Sequence, residues 1–498
     1  MRSFPLLSLA ATCASAGTLS VDFSKFKLDL ALSITKRDTL DLKAINNVTG
    51  GGYYAEFQVG TPGQKIGFLL DTGSSDTWVN SADTDLCNSL TLQDTNGYCM
   101  TTFNPDDSST YDTVDKGGFD ITYLDSRRIR GDYFNDTVTI DGKSIKRQQL
   151  GLATKSVRPT GIMGLGFSAN VAADVQYPTV LDNMVSQGYI DTPAFSLYLN
   201  DLSASSGTIL FGGIDKAKFV GELTTLPLRP DFQSFSDNIT SFTVELDSLA
   251  VSGKKVSLDS LKADAILDSG STICLLPDSQ VQDIWEAFDV RTVSGLSVPF
   301  VDCAYAGDKG DGISLDFTFS GKKISVPIDE MVIDSFASVQ DQIMSDPTLK
   351  EAFDGWDSAC MFGIASASDY GVDDDSFALL GDTFLRSAYV VYDLANEQIG
   401  IAESNTNSND SDIVELKAGD TDFPNVTGVA SKSTADPTSS GSRPTVTVTG
   451  SLPTVTVTGT PDDSAGQSGS GDDNAGGRLV PALMASLMMA VGAAAVML

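Results

Sequence analysis

From about residue 38 to residue 404, the chain carries short runs of β-branched and aromatic residues interrupted by Gly, Asp and Asn. Runs of this kind predict β-strands joined by turns. Helical patterns are few and lie chiefly at 178–188 and 278–288. The sequence therefore predicts a mostly β globular part. Its clearest strand-like runs are YYAEFQV, KIGFLL, TVTI, TILFGG, ISLDFTF and YVVYDL.

The globular part contains one pattern twice. Three apolar residues lead into Asp-[Thr/Ser]-Gly-Ser in FLLDTGSSDTWV at 68–79 and in AILDSGSTICLL at 265–276. An apolar-apolar-Gly segment follows each copy, GIMGLGF at 161–167 and ALLGDTF at 378–384. A duplication of this kind indicates two related lobes, so we expect a bilobal protein with pseudo-twofold symmetry. The predicted lobes are residues 38–220 and residues 221–404.

The first 37 residues have the features of targeting and processing segments. Residues 1–16 combine one basic residue, a short apolar run and an A-x-A-like arrangement of small residues, which predicts a secretory signal peptide. A short buried helix is the alternative for this stretch. Residues 17–37 end in the dibasic pair Lys36-Arg37, which predicts a propeptide and a mature chain that starts near Asp38.

The composition changes near Asn405 to Ser, Thr, Asn, Gly, Pro and Asp, and the heptapeptide PTVTVTG occurs twice. The Thr-Val alternation has no aromatic or aliphatic partner against which a strand could be buried. We therefore expect an extended, O-glycosylated stalk at 405–470.

The last segment, 471–498, has the layout of a glycosylphosphatidylinositol (GPI) attachment signal. A 20-residue uncharged stretch at 479–498 follows a polar segment of small residues. A tail-anchored membrane helix is the alternative, but no basic residue follows the stretch. The predicted attachment residue lies between Gly466 and Asn474.

The charge balance and the absence of His exclude several classes of function. The 498 residues include 32 Lys and Arg, 66 Asp and Glu and no His, for a net charge of -34. Loss of residues 1–37 removes five basic and two acidic residues, which leaves 27 against 64 and a net charge of -37. Such a surface repels nucleic acid. Triads and metal sites that need imidazole are excluded, which leaves carboxylates, Tyr and Lys for acid–base chemistry.

The cysteines and glycosylation sequons fit an oxidising, extracytoplasmic route. Of six Cys, Cys13 is lost with the signal peptide, and we expect two disulfides. Cys274 then remains unpaired, and we interpret it as a buried small hydrophobe, since no His exists to activate it as a nucleophile. The predicted disulfides are Cys87–Cys99 and Cys303–Cys360. The sequons are at Asn47, Asn135, Asn238, Asn409 and Asn425.

The two Asp-containing triplets predict a pair of carboxylates, Asp71 and Asp268, at the interface of the lobes. The following glycines lack Cβ and let backbone N–H groups approach the carboxylates, while the following serines can fix the outer oxygens. Two carboxylates in contact cannot both ionise, so the pair shares one proton and can activate a water for attack on an amide without a metal or cofactor. The supporting residues are Gly73, Gly270, Ser74 and Ser271.

These residues resemble those of pepsin-type aspartic endopeptidases, and the similarity extends over 45–404. VGTPGQKIGFLLDTGSSDTWV, SSTYD, GIMGLGF, DSGSTICLLP and LLGDTFLRSAYVVYDLANEQIGIA occur in the family's order. The resemblance implies that Asp71 and Asp268 are the catalytic dyad, that peptides are the substrates and that the enzyme is a monomer active in acid. It also implies that Tyr123 is the flap tyrosine and Trp78 its partner. The segment LDSRRIRG replaces the Gly-rich flap tip common in the family.

The whole layout is most similar to that of fungal yapsin-like, GPI-anchored proteases of the cell surface. That similarity implies a preference for basic residues at the cleavage site. The negative charge favours this preference, and so do Asp83, Asp85 and Asp94 in an insertion between Trp78 and Met100. Arg127, Arg128 and Arg130 would oppose it if they faced the cleft. The alternatives are a secreted acid protease of broad specificity without an anchor and an inactive pepsin-fold protein that binds at the surface.

Overall fold

A computed structural model of the chain describes residues 17–25, 52–204, 206–230, 237–293, 298–337 and 340–432. The predicted signal peptide, Asn47, the dibasic site, most of the predicted stalk and the whole predicted anchor signal lie outside these residues. None of the helices in the described ranges has the length and apolar character needed to cross a bilayer.

The first lobe is built mainly from strands, with two short helices. The strands are β1 Leu19–Lys25, β2 Tyr53–Val59, β3 Gln64–Asp71, β4 Thr77–Asn80, β5 Asp112–Thr122, β6 Arg128–Ile140, β7 Lys143–Lys155, β8 Gly161–Gly164, β9 Ala194–Tyr198, β10 Ser206–Phe211, β11 Gly213–Asp215 and β12 Phe219–Pro227. The helices are α1 Leu90–Asn96 and α2 Val180–Ser186.

The second lobe has the same character. Its strands and those that follow it are β13 Thr243–Leu246, β14 Ser248–Ser252, β15 Ala263–Leu267, β16 Cys274–Leu276, β17 Arg291–Thr292, β18 Pro299–Asp302, β19 Ser314–Phe319, β20 Lys322–Pro327, β21 Val332–Ile333, β22 Ala359–Phe362, β23 Ile364–Ser366, β24 Phe377–Leu380, β25 Ala388–Asp393, β26 Gln398–Ser404 and β27 Ile413–Glu415. The helices are α3 Asp278–Phe288, α4 Gln340–Ser345, α5 Pro347–Ala352 and α6 Asp382–Leu385.

The predicted mostly β fold is confirmed, and so are the two predicted helices, which appear as α2 and α3. In α3, Val281, Ile284 and Phe288 are buried at the spacing of a single helix face. The helix α2 begins with a capping box between Thr179 and Asp182, which satisfies backbone N–H groups at the helix start.

One large sheet joins the two lobes. Its strand order is β12-β26-β25-β9-β10-β1-β2-β3-β8-β4-β7-β6-β5. Strands β25 and β26 come from the end of the second lobe, yet they pair with β9 and β12 of the first. The remaining strands of the second lobe form sheets of five, three and four strands. The lobes are therefore connected by continuous backbone hydrogen bonding.

The duplicated sequence pattern corresponds to duplicated strand pairing. In the first lobe β3 runs parallel to β8, with Leu70 opposite Met163, and β4 lies antiparallel to β8. In the second lobe β15 runs parallel to β24, with Leu267 opposite Leu380, and β16 lies antiparallel to β24. Each Asp triplet thus follows a strand whose parallel neighbour is the downstream apolar-Gly segment. The predicted bilobal arrangement is confirmed.

Both predicted disulfides, Cys87–Cys99 and Cys303–Cys360, are present. Cys274 is free and fully buried in the core, with its Sγ 3.4 Å from Thr383 Oγ1. Burial raises the pKa of this thiol to about 11, so it stays protonated and unreactive at physiological pH.

Residues 405–432 pack on the globular body, so the prediction that the stalk begins at 405 is wrong. Strand β27 pairs with β11, and the Leu416 N–H donates to Gly212 O at 2.9 Å. Leu416 lies in a buried cluster with Phe219 and Tyr389, and Phe423 packs against the same cluster. The packing reaches Val429, whose N–H donates to Phe219 O. A few apolar residues in a polar sequence are enough to dock this segment on the body.

The strand β1 belongs to the predicted propeptide, and it is part of the large sheet. It pairs with β10 over six residues, from Leu19 opposite Phe211 to Ser24 opposite Ser206, and it also meets β2. Leu19 and Phe23 are buried. Cleavage after Arg37 remains a prediction, and it would separate this strand from the rest of the chain.

We expect a chain that ends at Ser404 to be less stable than one that ends at Lys432. Loss of residues 405–432 would remove Leu416 and expose the apolar residues that it covers. Burial of one such side chain is worth about 1.5–3 kcal/mol. The thermal midpoint should fall by several degrees, and the uncovered β12 should promote self-association. Thermal melts and size-exclusion chromatography of the two chains measure this. Equal midpoints would show that 405–432 adds no stability.

Candidate active site

The two predicted carboxylates lie at matching positions where the lobes meet. Asp71 is the last residue of β3, and Asp268 follows the last residue of β15. The two residues are only 5% and 7% exposed, although both line the same cavity. The Asp268 carboxylate is within hydrogen-bonding reach of Asp71. The strands thus deliver the two acids to one point.

The contacts of the two carboxylates follow the pseudo-twofold symmetry. Each inner oxygen accepts a hydrogen bond at 2.8 Å from the backbone N–H of the glycine two residues later. Each outer oxygen accepts one from the hydroxyl of the serine three residues later. The donors predicted from the sequence are therefore all in place: Gly73 and Ser74 for Asp71, Gly270 and Ser271 for Asp268.

Both glycines also meet a requirement that the sequence did not reveal. A Cβ added to Gly73 would lie 2.5 Å from Oδ1 of Asp268, and a Cβ on Gly270 would collide with the carboxylate of Asp71. Each loop thus passes against the opposite carboxylate. Any larger residue at either position would push the two acids apart.

Burial and mutual repulsion set the proton affinity of the pair. Burial and the nearby Asp268 charge raise the pKa of Asp71 to about 7, although the hydrogen bonds from Ser74 and Gly73 act in the opposite direction. The pair therefore retains a proton as the pH rises towards about 7. One carboxylate can accept a proton from water while the other carboxyl donates one.

Thr72 and Ser269, the middle residues of the triplets, tie the two loops together across the interface. The Thr72 hydroxyl donates to Leu267 O, and the Ser269 hydroxyl donates to Leu70 O, each at 2.8 Å. Each hydroxyl also accepts the backbone N–H of the other residue, at 2.9 and 3.2 Å. Sequence reasoning missed this role. The signal was a hydroxyl residue at the middle of both triplets.

A hairpin made of β5 and β6 covers the cavity, and its turn begins at Tyr123. The indole Nε1 of Trp78 donates to the Tyr123 hydroxyl at 2.7 Å, so the structure brings these two predicted residues together. The cavity has a volume of about 680 Å³ and is lined from both lobes. Besides Tyr123 and the two acids, its walls include Leu69, Ile162 and Leu379.

The arginines of the hairpin do not line the cavity in the described part of the chain. Arg128 forms an exposed ion pair with Asp120, and Arg130 is exposed on β6. Arg127 donates to Val157 O at 3.1 Å. None of these three arginines therefore lines the cavity, whereas Arg158 in the loop after β7 does.

Of the described sequon residues, Asn238, Asn409 and Asn425 are exposed, whereas Asn135 on β6 is half-buried. The described residues also include one group of three possible metal ligands, Cys303, Asp334 and Cys360. Its two sulfur atoms form a disulfide and cannot act as thiolate ligands.

Comparison with known proteins agrees with this geometry. Residues 52–404 match the family model described as eukaryotic aspartyl protease. The chain is 38% identical over 386 residues to a probable aspartic-type endopeptidase opsB of Aspergillus fumigatus, covering 76% of this chain and 74% of the relative. It is 33% identical over 377 residues to candidapepsin-3 of Candida albicans, covering 74% and 83%. The chain belongs to the eukaryotic aspartyl protease family.

Proposed function

We propose that this aspartic endopeptidase cleaves peptide bonds by acid–base activation of one water between Asp71 and Asp268. The ionised carboxylate takes a proton from the water, whose oxygen attacks the carbon of the scissile carbonyl. The protonated carboxyl donates its proton to the carbonyl oxygen, which gives a tetrahedral diol. Proton transfer to the amide nitrogen then breaks the C–N bond. The observation that carries this proposal is the buried, symmetric pair of acids that line one cavity at the interface of the lobes.

Tyr123 closes over the bound peptide in this proposal. Its hydroxyl is already fixed by Trp78, and its ring lies on the wall of the cavity that holds both acids. Closure of a hairpin over the substrate excludes water and orients the scissile bond. The complete site lies within one chain, which supports action as a monomer.

Asp71→Asn and Asp268→Asn should each lower kcat by about 10²–10⁴-fold, since the proton relay needs both carboxyl groups and this is the usual cost of losing a general acid or base. Asn is nearly isosteric with Asp, so the fold should be retained. Peptide cleavage assays and thermal melts of both variants measure this. A variant with wild-type kcat would contradict the role of that acid.

Activity should fall as the pH rises through about 7. The raised pKa of Asp71 keeps one proton on the pair below that pH, and the doubly ionised pair above it cannot protonate the carbonyl oxygen. The measurement is kcat/KM against pH for an uncharged peptide. Activity that stays constant from pH 5 to pH 9 would contradict the shared proton.

We also propose a preference for basic residues beside the scissile bond. The insertion contributes little to it, because Asp85 accepts hydrogen bonds from the backbone N–H groups of Leu86 and Ser156, while Asp83 is exposed away from the cavity lining. A better source is the loop 369–376, which borders the cavity through Tyr370, Gly371 and Val372. It carries four carboxylates, Asp369, Asp373, Asp374 and Asp375. Asp374 is held within the loop, because it accepts hydrogen bonds from the backbone N–H and the hydroxyl of Ser376.

The double variant with Asn at 373 and 375 should lose the preference for Lys or Arg over Leu and Phe in a peptide-library digest. A partly desolvated ion pair is worth about 1–3 kcal/mol, which corresponds to a change in relative kcat/KM of about five- to 150-fold. Asp83→Asn is the matched control and should leave the preference unchanged. Absence of any basic preference in the wild-type digest would reject the proposal, and its persistence in the double variant would exclude Asp373 and Asp375 as its source.

We propose that the enzyme is secreted and held at the outer cell surface by a GPI anchor. Support comes from the sequence features of both ends, from exposed sequons and from a similar Candida albicans protein named secreted aspartic protease 3. The stalk in this proposal begins after Lys432, beyond the described residues.

A chain that ends at Arg478 should be released into the medium with unchanged kcat/KM, because the anchor signal is missing and the catalytic body is intact. The full-length protein should stay with the cells and be released by a GPI-specific phospholipase. Mass spectrometry of the purified mature protein gives a second test. Detection of residues 479–498 in it would contradict a GPI anchor.

A further inference from the structure

The turn of the hairpin over the active site is held by charged residues. It contains Asp125 and Arg127 where the family commonly has a Gly-rich tip. Both side chains are largely buried, with 7% and 17% of their surface exposed, and Arg127 Nε lies 3.6 Å from Asp125 Oδ2. Charged side chains at the tip of a covering hairpin are ordinarily exposed, so these need partners in the body of the lobe.

The partner is Arg158, in the loop that follows β7. Its guanidinium donates to Asp125 Oδ2 at 3.0 Å, and the side chain is only 6% exposed. In the opposite direction, Arg127 of the hairpin donates to Val157 O of the same loop at 3.1 Å. The hairpin turn and the loop are thus joined by two links, with one arginine coming from each side.

Arg158 also contacts the flap tyrosine directly. The carbon at the centre of its guanidinium lies 4.6 Å from the centroid of the Tyr123 ring, a distance typical of a cation–π contact. The other end of the same tyrosine accepts the hydrogen bond from Trp78. The ring is therefore held at its face by Arg158 and at its hydroxyl by the indole.

The disulfide-bearing insertion in turn fixes the loop that carries Arg158. Asp85 Oδ1 accepts the Ser156 N–H at 2.9 Å, and the Ser156 hydroxyl donates to Arg158 O at 3.0 Å. At the far end of the insertion, the Met100 N–H donates to Pro159 O at 2.8 Å. The segment from 156 to 159 is held on both sides by the insertion that Cys87–Cys99 closes.

We propose that Arg158 is a positioning residue of the endopeptidase, which holds the flap turn in place through Asp125 and sets the position of Tyr123 over the catalytic acids. The inference rests on the proposed role of Tyr123 in substrate closure. In this proposal the ion pair between Arg158 and Asp125 orders the flap turn before a peptide binds. A flexible Gly-rich tip would become ordered only when the substrate binds. We call the contacts of Arg158 with Asp125 and Tyr123 the clamp. The insertion stabilises it through its hydrogen bonds to the loop that carries Arg158.

The test compares Arg158→Met, Arg158→Lys, Asp125→Asn and the double variant Arg158→Met/Asp125→Asn. Hydrogen exchange of the hairpin amides at 119–131 should become about tenfold faster in Arg158→Met. After titration of active sites with a tight inhibitor, kcat/KM should fall about ten- to a hundredfold, by the same factor for peptides with different side chains. Arg158→Lys should recover part of both losses. The double variant should be no worse than the poorer single one, because the two residues act as a pair.

The matched control is Arg128→Gln, which breaks the exposed ion pair with Asp120 on the same hairpin. Exposed pairs contribute little, so both readouts should change less than about twofold. Unchanged exchange at 119–131 in Arg158→Met would overturn the clamp, and so would a loss confined to peptides with one type of side chain. If Arg158→Met does not fold, the Lys and Asn variants decide in the same way. Hydrogen exchange needs no activity, so a failure of the clamp is distinguishable from a failure of the proposed catalytic function.

Discussion

Repulsion between two buried carboxylates is the constraint on which this structure depends. Asp71 and Asp268 would separate or bind water if the loops that carry them were free to move. Four hydrogen bonds between Thr72, Ser269 and the strands behind them fix the distance between the loops. The glycines after each Asp permit the close approach, and hydroxyl and backbone donors compensate for lost water. The raised pKa of Asp71 is a consequence of this enforced contact.

The contact can be enforced only if the lobes themselves cannot move apart at the site. The sheet shared by both lobes supplies part of that rigidity, and a buried ion pair supplies more. Arg386 is fully buried and donates to Glu330, whose second carboxylate oxygen accepts the Leu202 N–H from the first lobe at 2.9 Å. Loss of one partner of a buried pair costs about 3–5 kcal/mol because the other charge is left uncompensated. The Arg386–Glu330 pair therefore holds the two lobes in a fixed arrangement, but substitution of either residue would be strongly destabilising.

The sequence revealed the features that repeat and left out those that depend on tertiary contact. The duplicated Asp triplets gave the fold, the two acids and their Gly and Ser donors, because short-range geometry dictates these contacts. The roles of Thr72 and Ser269 were missed, since a hydroxyl between Asp and Gly has the composition of an ordinary turn. The end of the globular body was placed too early because only Leu416, Phe423 and Val426 carry the packing of a polar segment. The average composition of such a segment is polar, so it does not reveal the three apolar residues that pack against the body.

The acids of the disulfide-closed insertion show the same limit for electrostatics. Counted as charge, they favour cationic substrates, yet Asp85 uses an oxygen to accept backbone N–H groups of Leu86 and Ser156. Its contribution is local and mechanical, because it fixes the loop from which Arg158 reaches the flap. Net charge describes the field far from a surface, whereas the role of one carboxylate is decided by the donors within 3 Å of it. A half-buried carboxylate such as Asp85, which accepts specific backbone donors, is better understood as part of the scaffold than as part of the substrate-binding surface.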